Sequence, residues 1–268
     1  MTLSLAHTAL LFVVALLAGA VNSIAGGGSL LTFAALILSG VPPLLANTTS
    51  TVALLPGSVS SLWGYRRELR GQALLLLIVG LPSLLGGILG ALALLTVGEP
   101  RFASLVPWLI LGATALFVAQ EPLTRRVGRL LPPSPEGAGA APVRAQRPLV
   151  LAAVALFQLL VAIYGGFFGS GMGILMLVTF GLAGVASLHQ RNALKHAAAL
   201  CINGPAALIF LRQGYVQPGP ALLMMLAAVG GGYGGARLAL RVGVPAVRRA
   251  IIVINLTLAA AAIWRVLG

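Results

Sequence analysis

The sequence predicts an all-α fold, a polytopic bundle of membrane helices, from its composition, the length of its apolar segments and the placement of its charges. Of the 268 residues, 59% are hydrophobic and 8% are charged, and the mean hydropathy is +1.04. A soluble domain carries roughly a quarter charged residues, so this chain could not cover a surface that faces water. The composition therefore excludes a soluble enzyme, a secreted disulfide-rich protein and a nucleic-acid-binding protein. The net charge of +13 lies in short basic patches between apolar runs, as is typical of topology signals in membrane proteins.

Ten apolar segments are candidates for membrane helices, because a helical crossing needs about 20 apolar residues. They cover approximately residues 3–24, 29–45, 47–64, 72–96, 102–120, 149–168, 173–188, 192–211, 219–240 and 247–267. The first segment ends in small residues, as a signal peptide does. No Lys or Arg precedes it, however, which favours a retained membrane helix.

The stretch 121–148, between the fifth and sixth segments, is rich in Pro, Gly and Ala and carries basic residues near both ends. Such a composition favours a mobile linker. It predicts two membrane repeats of five segments each, residues 1–120 and 149–268. Together they provide about eight to ten transmembrane helices, with glycine-broken hairpins in both halves.

The two halves share small and polar residues at matched positions. Adding 145 to the number of Gly26, Gly28 and Asn47 gives Gly171, Gly173 and Asn192 without a gap. Chance matching in a chain rich in Ala, Leu and Gly is the alternative explanation. The matched order of segments and the central linker favour an internal repeat.

The Lys and Arg residues indicate how the two halves are oriented. If segments one and two return to their starting side, as do six and seven, fourteen basic residues lie on one side and three on the other. If each hairpin instead counts as one crossing, ten basic residues lie on one side of the membrane and seven on the other. Because basic residues prefer cytoplasmic loops, the first arrangement is favoured. It predicts inverted repeats, a cytoplasmic linker and both termini outside, a construction typical of secondary transporters.

Each half contains a glycine-rich break followed by a new helix. A helix N-terminus offers unpaired N–H groups and a partial positive charge, and glycine lets an anion approach the backbone closely. We expect the N–H groups of Ser29 and Ile174 to stabilise charge. The alternative is that these glycines only allow close helix packing. The candidate site residues at the breaks are Asn22, Ser23, Gly26, Gly27, Gly28, Ser29, Ser170, Gly171 and Gly173.

Polar residues at the start of the third and eighth segments form a second group of candidates. The first half contributes Asn47, Thr48, Thr49 and Ser50, and the second half begins its matching segment at Asn192. Capping of the helix N-terminus is an alternative role for the two asparagines. The hydroxyls would donate to an oxyanion, or bond back to helix carbonyls.

Ionisable side chains inside the eighth segment are the most informative. Lys195 and His196 lie one turn into an apolar span, where a charge is costly and marks a functional candidate. Lys195 could instead extend to the membrane interface, and His196 could carry a proton or simply pack. Asn203 lies mid-segment beside Pro205, which frees a backbone carbonyl, and we expect it to line a cavity.

Several absences narrow the chemistry. The chain has no Asp, its four Glu residues lie outside the predicted spans, and no phosphate-binding GKS or GKT loop is present. The three histidines are scattered, so we expect no metal site and no cofactor. The polar groups that remain inside the bundle are hydrogen-bond donors, which predicts a small anion as the guest.

At these residues the chain resembles the sulfite exporter TauE/SafE family of bacterial membrane proteins. The resemblance rests on the motif from Ala25 to Thr32, the following Pro42, the segment Asn47 to Thr51, and the second-half motif from Gly165 to Gly173. Family membership implies export or exchange of sulfite or small organosulfonates such as sulfoacetate. It also implies about eight spans, which re-entrant hairpins would reconcile with ten segments.

The sequence therefore predicts a multi-pass transporter in a bacterial inner membrane that works by alternating access and is not an enzyme. We expect a sulfur oxyanion between the glycine breaks, with Lys195 supplying the second charge for a dianion. The partners are this anion and the lipid bilayer. Proton coupling and a homodimer stay open. The alternatives are an anion channel sharing the same cavity and a transporter of another small organic anion. An intramembrane enzyme is disfavoured because Cys201 and His196, five residues apart, do not face each other on a helix.

Overall fold

The computed structural model describes residues 5–24, 26–130, 148–185, 187–239 and 257, and within them every regular element is helical. The all-α prediction is confirmed. The helices are α1 (Leu5–Ile24), α2 (Ser29–Leu38), α3 (Pro43–Gly64), a 3₁₀ helix (Arg66–Leu69), α4 (Ala73–Leu130), α5 (Pro148–Phe167), α6 (Met172–Leu182), α7 (Leu188–Arg212) and α8 (Pro218–Ala239).

Helix α4 consists of two arms, 73–97 and 99–130, because Gly98 between them has the non-helical angles φ 71° and ψ 170°. Counting the arms separately, helices lie at the first nine of the ten predicted segments. The tenth, 247–267, lies almost wholly outside the described residues, as does 131–147 of the predicted linker. The first ten linker residues are helical, since the second arm continues to residue 130.

Four described stretches are long and apolar enough to cross a membrane: Leu5–Ile24, Ala73–Leu116, Pro148–Phe167 and Leu188–Arg212. Helices α2 and α6 have 10 and 11 residues. At 1.5 Å per residue they are about 15 to 17 Å long, which is about half of the hydrocarbon core. These two helices are therefore too short to cross by themselves.

Close helix packing explains many of the glycines. A Cβ on Gly19 would lie 2.6 Å from the carbonyl oxygen of Ala228, where α1 packs on α8. A Cβ on Gly86 would lie 2.5 Å from the Cβ of Ala162, where α4 packs on α5. Small residues permit such contacts in the absence of a hydrophobic driving force between membrane helices. For these positions the packing explanation holds.

Helix α3 begins four residues before the predicted start. Pro43 occupies its first turn, where the missing N–H costs nothing, and the carboxylate of Glu99 accepts a hydrogen bond of 2.9 Å from the Leu44 N–H. Helix α7 is capped by Ser187, whose hydroxyl accepts from the Gln190 N–H. The capping role considered for Asn47 and Asn192 is therefore wrong, since both lie inside helices.

Replacing Glu99 with Ala should lower the melting temperature of the purified protein by about 3 to 12 °C. A hydrogen bond to a charged group contributes about 1.5 to 3 kcal/mol, and each kcal/mol shifts the melting temperature of a protein of this size by roughly 2 to 4 °C. Glu68→Ala is the matched control, because the Glu68 side chain accepts no hydrogen bond from the described residues. Equal melting temperatures of the two variants in detergent would contradict the capping role.

Candidate functional site

The two glycine-rich breaks, between α1 and α2 and between α5 and α6, meet in the structure. A Cβ on Gly26 would lie 3.2 Å from the Cα of Gly173, and a Cβ on Gly173 would lie 3.3 Å from the Cα of Gly26. Gly26, Gly27 and Gly171 have φ of 79°, 88° and 85°. This left-handed backbone conformation is unfavourable for any L residue that carries a side chain. Glycine is therefore needed both for the turn and for the contact between the breaks.

A cavity of about 50 Å³, measured as the space open to the centre of a water-sized sphere, lies between these breaks and helices α3 and α7. One water needs about 10 to 15 Å³ by this measure, so the cavity has room for a small polyatomic ion. The residues that line it are Asn22, Gly26, Gly27, Ser29, Asn47, Ser50, Thr51, Leu54, Ser58, Phe168, Gly169, Ser170, Met172, Gly173, Lys195, His196, Ala199 and Asn203.

Lys195 is the charged group of this cavity. Its side chain is 3% exposed, and its Nζ donates to the carbonyl oxygen of Asn22 and to Oδ1 of Asn192, both at 2.7 Å. The ammonium group therefore does not extend to the interface, and that alternative is wrong. Two neutral oxygens hold the charge in place without cancelling it. In the described part of the chain no carboxylate lines the cavity.

Each half of the chain donates a hydrogen bond to the break in the other half. Asn47 of α3 donates from Nδ2 to the carbonyl oxygen of Phe167 at 3.0 Å, and Lys195 of α7 donates to that of Asn22. The accepting residues are 145 positions apart, as are Asn47 and Asn192, the asparagine that holds Lys195. The terminal carbonyls of two broken helices thus find donors across the centre of the molecule, as buried backbone groups require.

Some backbone N–H groups at the breaks are already used. The Gly28 N–H donates to Oδ1 of Asn22 at 2.8 Å. The Ile174 N–H donates to the carbonyl oxygen of Gly171 at 3.0 Å, so its predicted role in stabilising an anion is wrong. The N–H groups of Gly27, Ser29, Ser170 and Gly173, all four cavity-lining residues, make no hydrogen bond to the described residues. These four are the candidate backbone donors for a guest.

His196 both lines the cavity and packs. Its ring stacks on Tyr65 with centroids 6.1 Å apart, and its Nε2 lies 3.5 Å from the carbonyl oxygen of Ser23. The Tyr65 hydroxyl donates to the same carbonyl at 3.3 Å. Burial raises the pKa of Tyr65, so the phenol keeps the proton it donates. His189 also stacks on Tyr65, with ring centroids 6.4 Å apart.

The structure places eleven of the seventeen predicted site residues on the cavity wall. The other six are adjacent: Ser23, Gly28, Thr48, Thr49, Gly171 and Asn192. The Thr48 hydroxyl lies within hydrogen-bond distance of the backbone carbonyls of Leu44, Leu45 and Tyr215, and it has one proton to share among them. Thr49 accepts from the Gln217 N–H at 3.0 Å. These hydroxyls therefore hold α3 against the start of α8 and are not available to a guest.

Seven of the lining residues were not predicted from the sequence, and for four of them a signal was present. Adding 145 to residues 50, 51, 54 and 58 gives 195, 196, 199 and 203, and all eight line the cavity. Subtracting 145 from the numbers of His196 and Asn203 therefore identifies Thr51 and Ser58. Leu54 and Ala199 each lie four residues from other lining positions of their helix, on the same helix face, and the offset relates them as a pair. Phe168, Gly169 and Met172 follow from no such pattern.

The wall is rich in groups that can donate hydrogen bonds. It combines one ammonium group, four backbone N–H groups without a partner among the described residues, two side-chain amides besides Asn22, and several hydroxyls, with apolar contacts from Leu54, Phe168 and Met172. Among the described residues no group of three His, Cys, Asp or Glu side chains could hold a metal ion. Buried donors without a carboxylate favour a negatively charged guest.

Comparisons with known proteins agree along nearly the whole chain. Residues 11–262 match the family described as "Sulfite exporter TauE/SafE". A "Probable membrane transporter protein ORF9" of Sinorhizobium sp is 30% identical over 256 residues, covering 94% of this chain and 90% of that protein. A "Probable membrane transporter protein" of Haemophilus influenzae is 27% identical, covering 96% and 94%. The "Probable membrane transporter protein YfcA" of Escherichia coli K12 is 27% identical, covering 93% and 87%. No solved structure matches significantly.

Proposed function

This chain belongs to the sulfite exporter TauE/SafE family of membrane transporters, as its glycine-rich motifs predict, and we propose that it carries sulfite or a small organosulfonate by alternating access. The observation that carries the proposal is the buried ammonium group of Lys195. It lies in a cavity at the meeting point of two broken helices, and no described carboxylate neutralises it. A buried charge without a counter-ion is costly. A bound anion removes that cost.

The size and polarity of the cavity support a small oxyanion. Its volume of about 50 Å³ accommodates a few heavy atoms, and its donors surround the space from several directions. Lys195 supplies a full charge, and the N–H groups of Ser29 and Gly173 lie at the starts of α2 and α6, where the helix dipoles add partial positive charge. Leu54 and Met172 offer an apolar side against which the carbon of a short sulfonate packs.

We further propose that the two halves are inverted repeats, with the linker in the cytoplasm, both termini outside and the chain in a bacterial inner membrane. The charge distribution of the sequence supports this orientation. The matched cavity positions and the hydrogen bonds of Asn47 and Lys195 across the centre support the repeat. In such a construction the halves rock about a fixed site near the membrane midplane and expose it to each side in turn.

Counterflow in proteoliposomes tests the proposal. Vesicles loaded with excess unlabelled sulfite and diluted into a trace of labelled sulfite should accumulate label transiently, because a carrier exchanges one anion for another. Sulfate, thiosulfate, sulfoacetate and zwitterionic taurine, loaded in place of sulfite, identify the substrate class. We expect sulfite or sulfoacetate to drive uptake and taurine to fail.

Three outcomes of the counterflow assay distinguish a carrier, a channel and a site that does not select anions. Accumulation driven by sulfite or sulfoacetate supports the carrier. Equilibration of label without accumulation indicates a channel, which has no obligatory exchange, and contradicts alternating access. Uptake driven equally well by taurine contradicts an anion site around Lys195. Repeating the assay with a pH difference across the vesicle tests whether a proton moves with the anion.

A further inference from the structure

An apolar groove on the outer surface of the bundle lies between α3 and α8, away from the cavity. It is open, with a volume of about 700 Å³, and its lining is almost entirely apolar. The residues that line it are Leu55, Pro56, Val59, Ser60, Trp63, Val229, Gly230 and Tyr233. From residue 55 to residue 63 the helix rises about 12 Å. The groove therefore spans most of one leaflet, whose hydrocarbon depth is about 15 Å.

Close packing of α3 on α8 shapes this groove. A Cβ on Gly57 would lie 2.8 Å from the carbonyl oxygen of Ala228, so the two backbones approach as closely as glycine permits. The Ser60 hydroxyl donates to the carbonyl oxygen of Val229 at 3.0 Å and so links α3 to α8 within the groove. Trp63, 63% exposed, stands at the edge. The groove is thus formed by packed helices and does not depend on the position of a loop.

The two helices run parallel, so their basic ends lie together. Thr49 contacts Gln217 and Ser60 contacts Val229, and residue numbers increase along both helices in the same direction. At the shared end Arg66 lies over the Trp63 ring, with Cζ 4.7 Å from the centroid. Arg237 lies over the Tyr233 ring at 4.6 Å. Two guanidinium groups on aromatic rings therefore stand at one end of an apolar groove.

These two arginines are available to an anion. Both are exposed, and within the described ranges neither is within salt-bridge distance of a carboxylate. The Arg66 guanidinium donates from Nη1 to the carbonyl oxygen of Trp63 at 2.8 Å, and its other N–H groups bond to none of the described residues. Guanidinium groups bind phosphate through paired hydrogen bonds, and Trp and Tyr are enriched at headgroup depth.

We propose that this groove is a binding site for an anionic phospholipid, with an acyl chain along Val59 and Val229 and the headgroup between Arg66 and Arg237. The charge pattern favours a lipid over a second copy of the chain. A two-fold axis along the membrane normal would bring both arginines of two copies to the same depth, where like charges repel. An anionic lipid complements the same charges.

Quenching of Trp63 by brominated lipids tests this site. The full chain carrying Trp108→Phe and Trp264→Phe, reconstituted in phosphatidylcholine vesicles, reports on the groove through Trp63 alone. Dibrominated phosphatidylglycerol should quench Trp63 with a binding constant at least about fivefold above that of dibrominated phosphatidylcholine. Adding Arg66→Gln and Arg237→Gln should reduce this preference to less than about twofold.

A second single-tryptophan protein is the matched control. Trp108 is 70% exposed on the second arm of α4 and is not among the residues that line this groove, so with Trp63→Phe and Trp264→Phe it should show no preference between the two lipids. Equal quenching of Trp63 by both lipids overturns the proposal, as does a preference that survives loss of both arginines. Quenching of Trp108 but not Trp63 by either lipid indicates that protein covers the groove, and also overturns it.

Discussion

Replacing Lys195 with Met is expected to reduce sulfite flux in proteoliposomes about a hundredfold, with protein yield unchanged. Met keeps the length of the apolar stem but removes the charge. At an effective dielectric constant of 20, a charge pair 4 Å apart is worth about 4 kcal/mol, and most of that stabilisation of the bound anion is lost. The measurement is initial uptake of labelled sulfite, with sulfite-induced thermal stabilisation of the purified protein as a binding readout.

Arg212→Met is the matched control, because Arg212 is an exposed cation at the far end of the same helix. We expect its flux to stay within about twofold of the parent protein, since exposed charges are screened. Lys195→Arg retains the charge and should keep a measurable part of the binding. Flux of Lys195→Met within a few-fold of the parent protein would remove Lys195 from the site.

Replacing Gly26 with Ala is expected to abolish most of the transport by separating the two breaks. Its φ of 79° costs an L residue about 1 to 2 kcal/mol, and the added methyl would lie 3.2 Å from Gly173. Because Gly173 in turn lies against the stem of Lys195, the displacement reaches the cavity. We expect flux to fall more than tenfold, measured at equal amounts of reconstituted protein.

Gly98→Ala separates this effect from simple backbone strain. Gly98 has a similar φ of 71°, yet a Cβ there would meet no atom within 4 Å. It should lower the melting temperature about as much as Gly26→Ala does, while its flux stays close to that of the parent protein. If both variants lose flux to the same extent, contact between the breaks is not what transport requires.

Much of the candidate site could be predicted from the sequence because it depends on features of local structure. Glycine-rich breaks at Gly26 and Gly173 are visible as interruptions of apolar runs, and the constant offset of 145 residues connects them. An ionisable residue in an apolar helix, Lys195, is similarly conspicuous. Composition alone was sufficient for the all-helical membrane fold, since water is excluded as its main solvent.

What could not be predicted depends on contacts across the molecule. Asn47 looks like a helix cap in the sequence, but the helix begins at Pro43, and the Glu99 carboxylate accepts from the Leu44 N–H in its first turn. The sequence likewise did not reveal which N–H groups lack a partner among the described residues, because the Ile174 N–H bonds to Gly171 while the Gly173 N–H makes no such local bond. Side chains such as Phe168 reach the wall through packing that has no period in the sequence.

Four residues of the cavity wall, Gly27, Ser29, Ser170 and Gly173, have main-chain N–H groups that bond to none of the described residues, and donors of this kind affect how specificity diverges. A peptide N–H is the same whichever residue carries it, so mutation cannot delete these donors without changing the fold of the break. Relatives about 27 to 30% identical can therefore preserve a common capacity for negative charge. Differences in cargo would then arise from side chains that line the same cavity, such as those of Leu54, Met172 and Ala199.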